Sequence, residues 1–350
     1  MEKNLLIEEE IQQKAYALGI EKLGIIKPEA MLDYADRLRE RMERLPNGEA
    51  IYGRFIRFAD VQKNIPWTKS IIVAVFHYGH YNITKEMGDR YGKSYLVDSR
   101  FNEDSPERQM LIAFEDYLHS LGIKTASNEH PGITAMRWAA YKAGLGIIRR
   151  NNFFYTEKGS WVGITAWATD KEMELIGKHS LEECSVNCNK CIKACPTKSL
   201  SSPYTMNMIT CVSRLSTSND MDSYNDETNR QMGGWVYGCN VCQEVCPRNK
   251  NKWENKDIFP GLIDIQQFLS PAQIMNLSYE EIEKYLTPKF FYINKESLWR
   301  WKLNAMNVMI NEYIEEHKKE YMASIQLALE DKYEIVREKA RWALNKFGLL

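Results

Sequence analysis

Cys184-Ser-Val-Asn-Cys188-Asn-Lys-Cys191-Ile-Lys-Ala-Cys195-Pro196 and Cys239-Asn-Val-Cys242-Gln-Glu-Val-Cys246-Pro247, with Cys211 between them, hold all eight cysteines of this 350-residue chain. Three thiolates two or three residues apart can wrap one face of a cubane. The chain must then turn away before a further cysteine reaches another iron, and the proline after the last cysteine of each run fixes that turn. In a reducing compartment eight cysteines are expected to be metal ligands or catalysts rather than disulfides. Two four-cysteine zinc sites are the alternative, but zinc favours paired Cys-x2-Cys knuckles and has no need of Cys-Pro endings.

Bacterial two-cluster ferredoxins use C-x2-C-x2-C-x3-C-P, and the last cysteine of each run ligates the other cluster. Carried to this chain, that logic gives one [4Fe–4S] cluster to Cys184, Cys188, Cys191 and Cys246. The second goes to Cys195, Cys211, Cys239 and Cys242. Each cysteine is used once. The three residues between Cys184 and Cys188, where two are usual, are the one departure. Two adjacent clusters form an electron wire.

Outward from the cysteines the chain changes character twice. Before them, apolar spacing at Leu5, Leu6, Ile11, Ala15 and Leu18, then Gly19, predicts a helix. Ser70-Ile-Ile-Val-Ala-Val-Phe76 reads as a buried strand. Pro106 to Leu121 reads as a helix with Gly122 after it, as does Met136 to Lys142 before Ala143-Gly-Leu-Gly146. Gly159 to Trp167 alternates as a strand. An α/β or α+β domain with one main sheet is expected over 1–178, and a cluster-organised domain over 179–256. Beyond 257 the spacing is helical: Ser297 to Glu315 and Lys319 to Phe347 read as long helical stretches. Leu329 to Leu344 has the form of one HEAT-type repeat, so 257–350 is expected to be a short helical stack.

Composition is that of a globular protein, with 44% hydrophobic and 27% charged residues and a net charge of −1. The balance offers no bulk attraction to nucleic acid or anionic membrane. The apolar run Ile71 to Phe76 is too short to span a bilayer, and the charged front of the chain does not read as a signal peptide. A soluble, cytoplasmic protein with no membrane partner is expected.

The order of domains resembles that of the epoxyqueuosine reductases, relatives of the corrinoid reductive dehalogenases. The resemblance is carried by Trp138-Ala-Ala-Tyr-Lys-Ala-Gly-Leu-Gly146, Arg150-Asn-Asn152, Gly159-Ser-Trp161, Cys211-Val-Ser213 and Tyr237-Gly-Cys-Asn-Val-Cys-Gln-Glu-Val-Cys-Pro-Arg-Asn249. It implies a base-off cobalamin between the N-terminal domain and the clusters, reduced by the nearer cluster and acting on a substrate that also receives a proton. It also implies cofactor contacts at Arg57, Tyr95, Arg137, Asn152, Ser160, Ser213 and Asn240. The family's proton donor is an aspartate in an Asp-Ser-x-Pro segment. Counting back from Gly144, that position is His130, followed by Pro131. A histidine, with its reference pKa near about 6.5, remains competent as a general acid at neutral pH. His77 and His80, after the apolar strand, offer either a strand-end pocket or ordinary packing.

The implied substrate is tRNA or a small molecule, and the implied electron source is an external flavodoxin- or ferredoxin-type donor. Residues 296–350 carry nine Lys and Arg against nine Asp and Glu, which gives no net charge for binding tRNA. Two other readings share the cysteine pattern: corrinoid-dependent reduction or dehalogenation of a small molecule, and electron transfer without cobalamin.

Overall fold

The computed structural model describes residues 6–100, 102–127, 132–218 and 226–350. The first helix is Ile7–Leu18. It buries Ile11 and Ala15, and Gly19, at φ 103°, closes it in the left-handed region. Among the described residues eight strands follow: β1 (Lys22–Ile26), β2 (Ser70–His77), β3 (Thr125–Ser127), β4 (Ile147–Ile148), β5 (Phe154–Tyr155), β6 (Val162–Thr169), β7 (Leu200–Ser202) and β8 (Thr205–Met206). The main sheet has the order β1-β2-β6-β3, with every neighbouring pair antiparallel.

The continuous apolar run of β2 is explained by cover on both faces. Ile71, Val73 and Val75 pack with Ala139, Ala140 and Ala143 of the helix Met136–Lys142. Ile72 and Ala74 pack with Ile11 and Ala15 of the first helix and with Phe114 and Leu118 of the helix Pro106–Ser120. Antiparallel pairing on both sides of β2 settles the mixed fold as α+β rather than α/β. The strand expected over Gly159 to Trp167 starts at Val162 and runs on to Thr169. Gly159, at φ 89°, closes a tight turn with Thr156, and the Ser160 N–H donates to Asn249 Oδ1 (2.8 Å) instead of to a strand.

The helix Met136–Lys142 ends in the expected turn. Gly144 takes φ 69°, and a Cβ there would collide with the Gly177 carbonyl. The Gly177 N–H donates to the Ala143 carbonyl (2.8 Å), so the turn is pinned from outside. It feeds directly into the β4–β5 hairpin.

The C-terminal region is helical, with Pro271–Asn276, Trp299–Glu316, Glu320–Leu327 and Glu334–Lys346 packed together. Within the stretch Lys319 to Phe347 the chain turns at Asp331, the aspartate before the turn in the HEAT-type pattern. This buried carboxylate accepts from the Tyr333 N–H (2.9 Å), the Tyr279 hydroxyl (2.7 Å) and Lys302 (3.1 Å). Three partners outside the helix outweigh helical continuity at that residue. The largest core joins these helices to Tyr78, Tyr81, Tyr91 and Leu96, which follow β2, and to Val236 and Tyr237, which precede Cys239. Among the described residues no helix is long and apolar enough to cross a membrane.

One helix also grips the chain between Cys211 and Cys239. Asn304 Nδ2 donates to the carbonyls of Ser216 (2.8 Å) and Val236 (2.9 Å), and Asn311 Nδ2 to those of Asn229 (2.9 Å) and Gly233 (3.0 Å). Asn304 is fully buried, so its loss strands two carbonyls away from water. Asn304→Ala is expected to cost about 2–3 kcal/mol and to lower the melting temperature by several degrees. A thermal melt indistinguishable from wild type would show that these bonds contribute little.

Candidate active site between the sheet and the cysteine motif

The β4–β5 hairpin carries Arg149, Arg150, Asn151 and Asn152 at its tip, and the tip reaches both cysteine runs. Arg149 Nη1 approaches Cys184 Sγ (3.7 Å), and its Nη2 donates to the Glu182 carbonyl (2.9 Å). Arg150 donates to the carbonyls of Cys188 (2.6 Å) and Val186 (3.0 Å). Asn151 Nδ2 donates to the Cys242 carbonyl (3.0 Å). Behind the second run, Gln243 and Asn249 donate to Ser160 Oγ (2.9 and 2.7 Å). The two runs are thus held by hydrogen bonds to the β4–β5 hairpin and Ser160.

None of the eight cysteines is in a disulfide. Their mutual electrostatic influence sorts them. Cys191 senses Cys246, Cys184 and Cys188, while Cys211 and Cys239 sense Cys195. Cys242 senses Cys239, Cys211 and Cys195, and then Cys191 across the divide. Burial raises the thiols of Cys191, Cys211 and Cys242 and pushes Cys239 up to about 12. A metal centre must displace those protons to bind.

A cavity of about 1230 Å³ lies between the sheet and the cysteine motif. Cys195, Cys211, Cys239 and Cys242 line it, whereas Cys184, Cys188, Cys191 and Cys246 do not. Phe76, Ile164 and Trp167 line it from the sheet. Its charged lining consists of Arg54, Arg100, Arg108, Arg137 and Arg214 against Glu103 and Glu115. Such a field favours a ligand with anionic or carbonyl groups. Arg100 stacks on Phe291 and Tyr292 and is paired with Asp98, which raises its pKa despite burial.

Four of the expected cofactor residues meet at this cavity: Tyr95, Arg137, Asn152 and Ser213. The hydroxyls of Tyr95 and Ser213 are bonded to each other (2.8 Å). Tyr95 is held in place by two glycines: a Cβ at Gly92 would lie 2.9 Å from its ring, and one at Gly238 would overlap it. Arg137 donates to the Asn152 carbonyl, and burial lowers its pKa. Asn152 Oδ1 accepts from Arg41 (3.2 Å), while its buried Nδ2 has no acceptor among the described residues. A large chamber with an unanswered amide donor and several guanidinium groups fits a cofactor rich in amide carbonyls and bearing a phosphate, as cobalamin is.

Three other expected residues do not reach the cavity. Arg57 is exposed over the Phe58 ring (4.7 Å); Arg54, on the preceding helix Glu49–Ile56, lines the cavity instead. Ser160 is consumed by the bonds to Gln243 and Asn249. Asn240 Oδ1 accepts from the Lys93 N–H (2.7 Å). His130 lies outside the described residues. His77 and His80 are also away from the cavity. Burial lowers His77 to about 4, which leaves it neutral, and His80 sits 3.6 Å from Glu107. The arginines at 54, 100, 108 and 214 were not singled out from the sequence, because isolated arginines on separate elements carry no spacing signal.

Residues 183–249 match a family described as a 4Fe-4S double cluster binding domain. The epoxyqueuosine reductase of Bacillus subtilis (strain 168) is 26% identical, over 98% of this chain and 88% of its own length. A crystal structure of an epoxyqueuosine reductase with a modified tRNA-Tyr stem loop superposes with a TM-score of 0.76 at 23% identity, covering 98% of this chain and 90% of that one. A Bacillus subtilis epoxyqueuosine reductase structure with its catalytic aspartate loop swung out of the active site gives 0.71 at 22% identity, covering 97% and 90%. With a double cluster domain, a shared fold and similarity along nearly its whole length, the chain is similar to the epoxyqueuosine reductases, which are oxidoreductases.

Proposed function

We propose that this chain is a cobalamin-dependent epoxyqueuosine reductase that removes the epoxide oxygen of a modified nucleoside in tRNA. The carrying observation is the cavity, onto which only the second group of four cysteines opens, opposite a wall of sheet residues and arginines. In this reading Cys184, Cys188, Cys191 and Cys246 hold one [4Fe–4S] cluster, and Cys195, Cys211, Cys239 and Cys242 hold the other. The electrostatic grouping of the thiols supports that division. The C-terminal helices are read as a HEAT-like unit closing one side of the protein.

Loss of an epoxide oxygen as water consumes two electrons and two protons. When bound, the clusters would supply single-electron transfer and cobalamin a low-potential metal centre. The protein's own part is to hold and protonate. Tyr95 and Ser213, locked together, and Arg137 and Asn152, joined through the Asn152 carbonyl, would hold the corrinoid's polar periphery. The sheet residues Phe76, Ile164 and Trp167 give the cavity an apolar wall that excludes water. Arg54, Arg100 and Arg214 supply cationic contacts for phosphates of the cofactor or substrate. His130 is the proposed proton donor to the leaving oxygen. Its described chain neighbours Ser127 and Gly132 both line the cavity, which supports the assignment.

Small-molecule epoxide reduction is the second reading, favoured by the balanced charge of residues 296–350. Salt-dependent binding of a tRNA stem loop separates the two. Absence of binding at low ionic strength would remove the tRNA substrate.

Anaerobic reconstitution with iron, sulfide and cobalamin is expected to give about eight irons and one cobalt per chain, with a base-off cob(II)alamin EPR signal. Cys246→Ser is expected to disturb the cluster remote from the cavity and leave the cobalamin spectrum intact. Cys242→Ser is expected to disturb both. Eight irons with no cobalt under any condition would favour an electron-transfer protein instead. His130→Ala is expected to retain cobalamin but to lower turnover about 10²–10⁴-fold. With a histidine acid, turnover in the wild type falls as pH rises past the imidazolium pKa. Unchanged turnover in the variant would take His130 out of the proton-donor role.

A further inference from the structure

We propose that the surface over Cys184, Cys188 and Cys191 is the docking face for an acidic, single-electron donor protein, recognised chiefly by Lys190, Lys193 and Lys198. The inference rests on the two-cluster reading above and adds where electrons enter and what brings them. The cavity is lined by one group of four cysteines only. The other group lies away from it, so a centre held there is the entry point from outside.

That second face is open. Ser185, Val186, Asn187, Asn189 and Lys190, which surround Cys184 and Cys188, are all exposed. Val186, at 81% exposure, is an apolar tip standing in solvent. It is presented on a fixed support, because Arg150 holds the carbonyls of Val186 and Cys188 together and Arg149 holds that of Glu182. A rigid loop with one apolar contact at its centre and charges around it is the anatomy of a small transient interface.

The surrounding charge is positive. Lys190 and Lys193 lie three residues apart on the short turn Lys190–Ala194, hence on one side of it. Lys198 Nζ donates to the Lys193 carbonyl (3.0 Å), which brings a third ammonium group to the same place. Arg248, from the second cysteine run, reaches Glu182 (2.9 Å), and Lys250 follows it on the surface. Segments 182–198 and 248–250 together carry these five exposed cations and two acidic residues, Glu182 and Glu183, in a chain whose overall net charge is −1. The concentration is local, and Lys190 and Lys193 flank the buried Cys191 along the chain. An electron carrier must approach that point closely, and a negatively charged one is steered to it. Nucleic acid on this face would block the approach, which favours a protein partner.

Each encounter transfers one electron. The reduced donor is oxidised by one electron, and the centre held by Cys184, Cys188, Cys191 and Cys246 passes from [4Fe–4S]2+ to [4Fe–4S]+. Two encounters supply the two electrons that removal of one epoxide oxygen consumes.

The test uses the full chain reconstituted with iron and sulfide, and an acidic flavodoxin photoreduced to its hydroquinone. Stopped-flow bleaching of the iron–sulfur absorbance is compared for wild type, Lys190→Glu/Lys193→Glu and Lys198→Glu. At low ionic strength the double variant is expected to be reduced about tenfold more slowly or worse, and Lys198→Glu to be intermediate. High salt should erase the differences. Binding of oxidised flavodoxin, followed by calorimetry, should weaken in the same order. Dithionite should bleach all three proteins at one rate, and all should carry the same iron, which separates a docking defect from cluster loss. Too little iron in the wild type for two clusters would sink the two-cluster reading itself. Equal flavodoxin rates and affinities across the three fully loaded proteins would overturn the docking face. So would loss of stem-loop RNA binding by the variants with donor reduction unchanged, since the face would then serve nucleic acid.

Discussion

The hydrogen bonds at the tip of one short hairpin govern the rest of this molecule. Arg149, Arg150 and Asn151 reach from the β4–β5 turn to the carbonyls of Glu182, Val186, Cys188 and Cys242. Loops crowded with cysteine have little apolar surface of their own, and their carbonyls need partners once they are buried. The guanidinium groups provide these partners at a distance and in a fixed fork, which a lysine would not do as rigidly. Without that grip the cavity would have no fixed second wall.

A matching grip comes from the opposite side. Asn304 and Asn311, seven residues apart on one helix, hold four carbonyls of the chain between Cys211 and Cys239. The segment after β2, rich in tyrosine, packs on the same helices instead of returning to its own sheet. The cysteine motif therefore sits between two supports that belong to distant parts of the sequence, and the cavity is the space they leave.

Charge is divided according to the kind of side chain. Arginines line the cavity, where planar donors suit phosphates and amide carbonyls and where burial leaves the guanidinium charged. Lysines surround the cysteines on the outer face, where a hydrated, mobile ammonium steers a partner without binding it tightly. The net charge of −1 hides both populations.

The cysteine runs, the apolar strand Ser70 to Phe76, and the helices at Pro106 and Met136 were all legible in the sequence, because spacing, periodicity and turn glycines are local properties. So was the relation to the epoxyqueuosine reductases, through motifs carried on continuous stretches. The direction of strand pairing was not legible, since it depends on which segments meet across the sheet. Nor were the partners of Asp331, where Tyr279 and Lys302 arrive from elsewhere in the chain to capture a carboxylate. Ser160 and Asn240 sit in motif positions that looked like cofactor contacts, yet tertiary hydrogen bonds to Asn249, Gln243 and Lys93 use them to join distant parts of the chain. The arginines at 54, 100, 108 and 214 became one site only on folding. The sequence determined which chemistry the cysteines carry, because ligand spacing is written along the chain. Which residues surround that chemistry, and on which side it faces solvent, was decided by long-range packing that no single segment encodes.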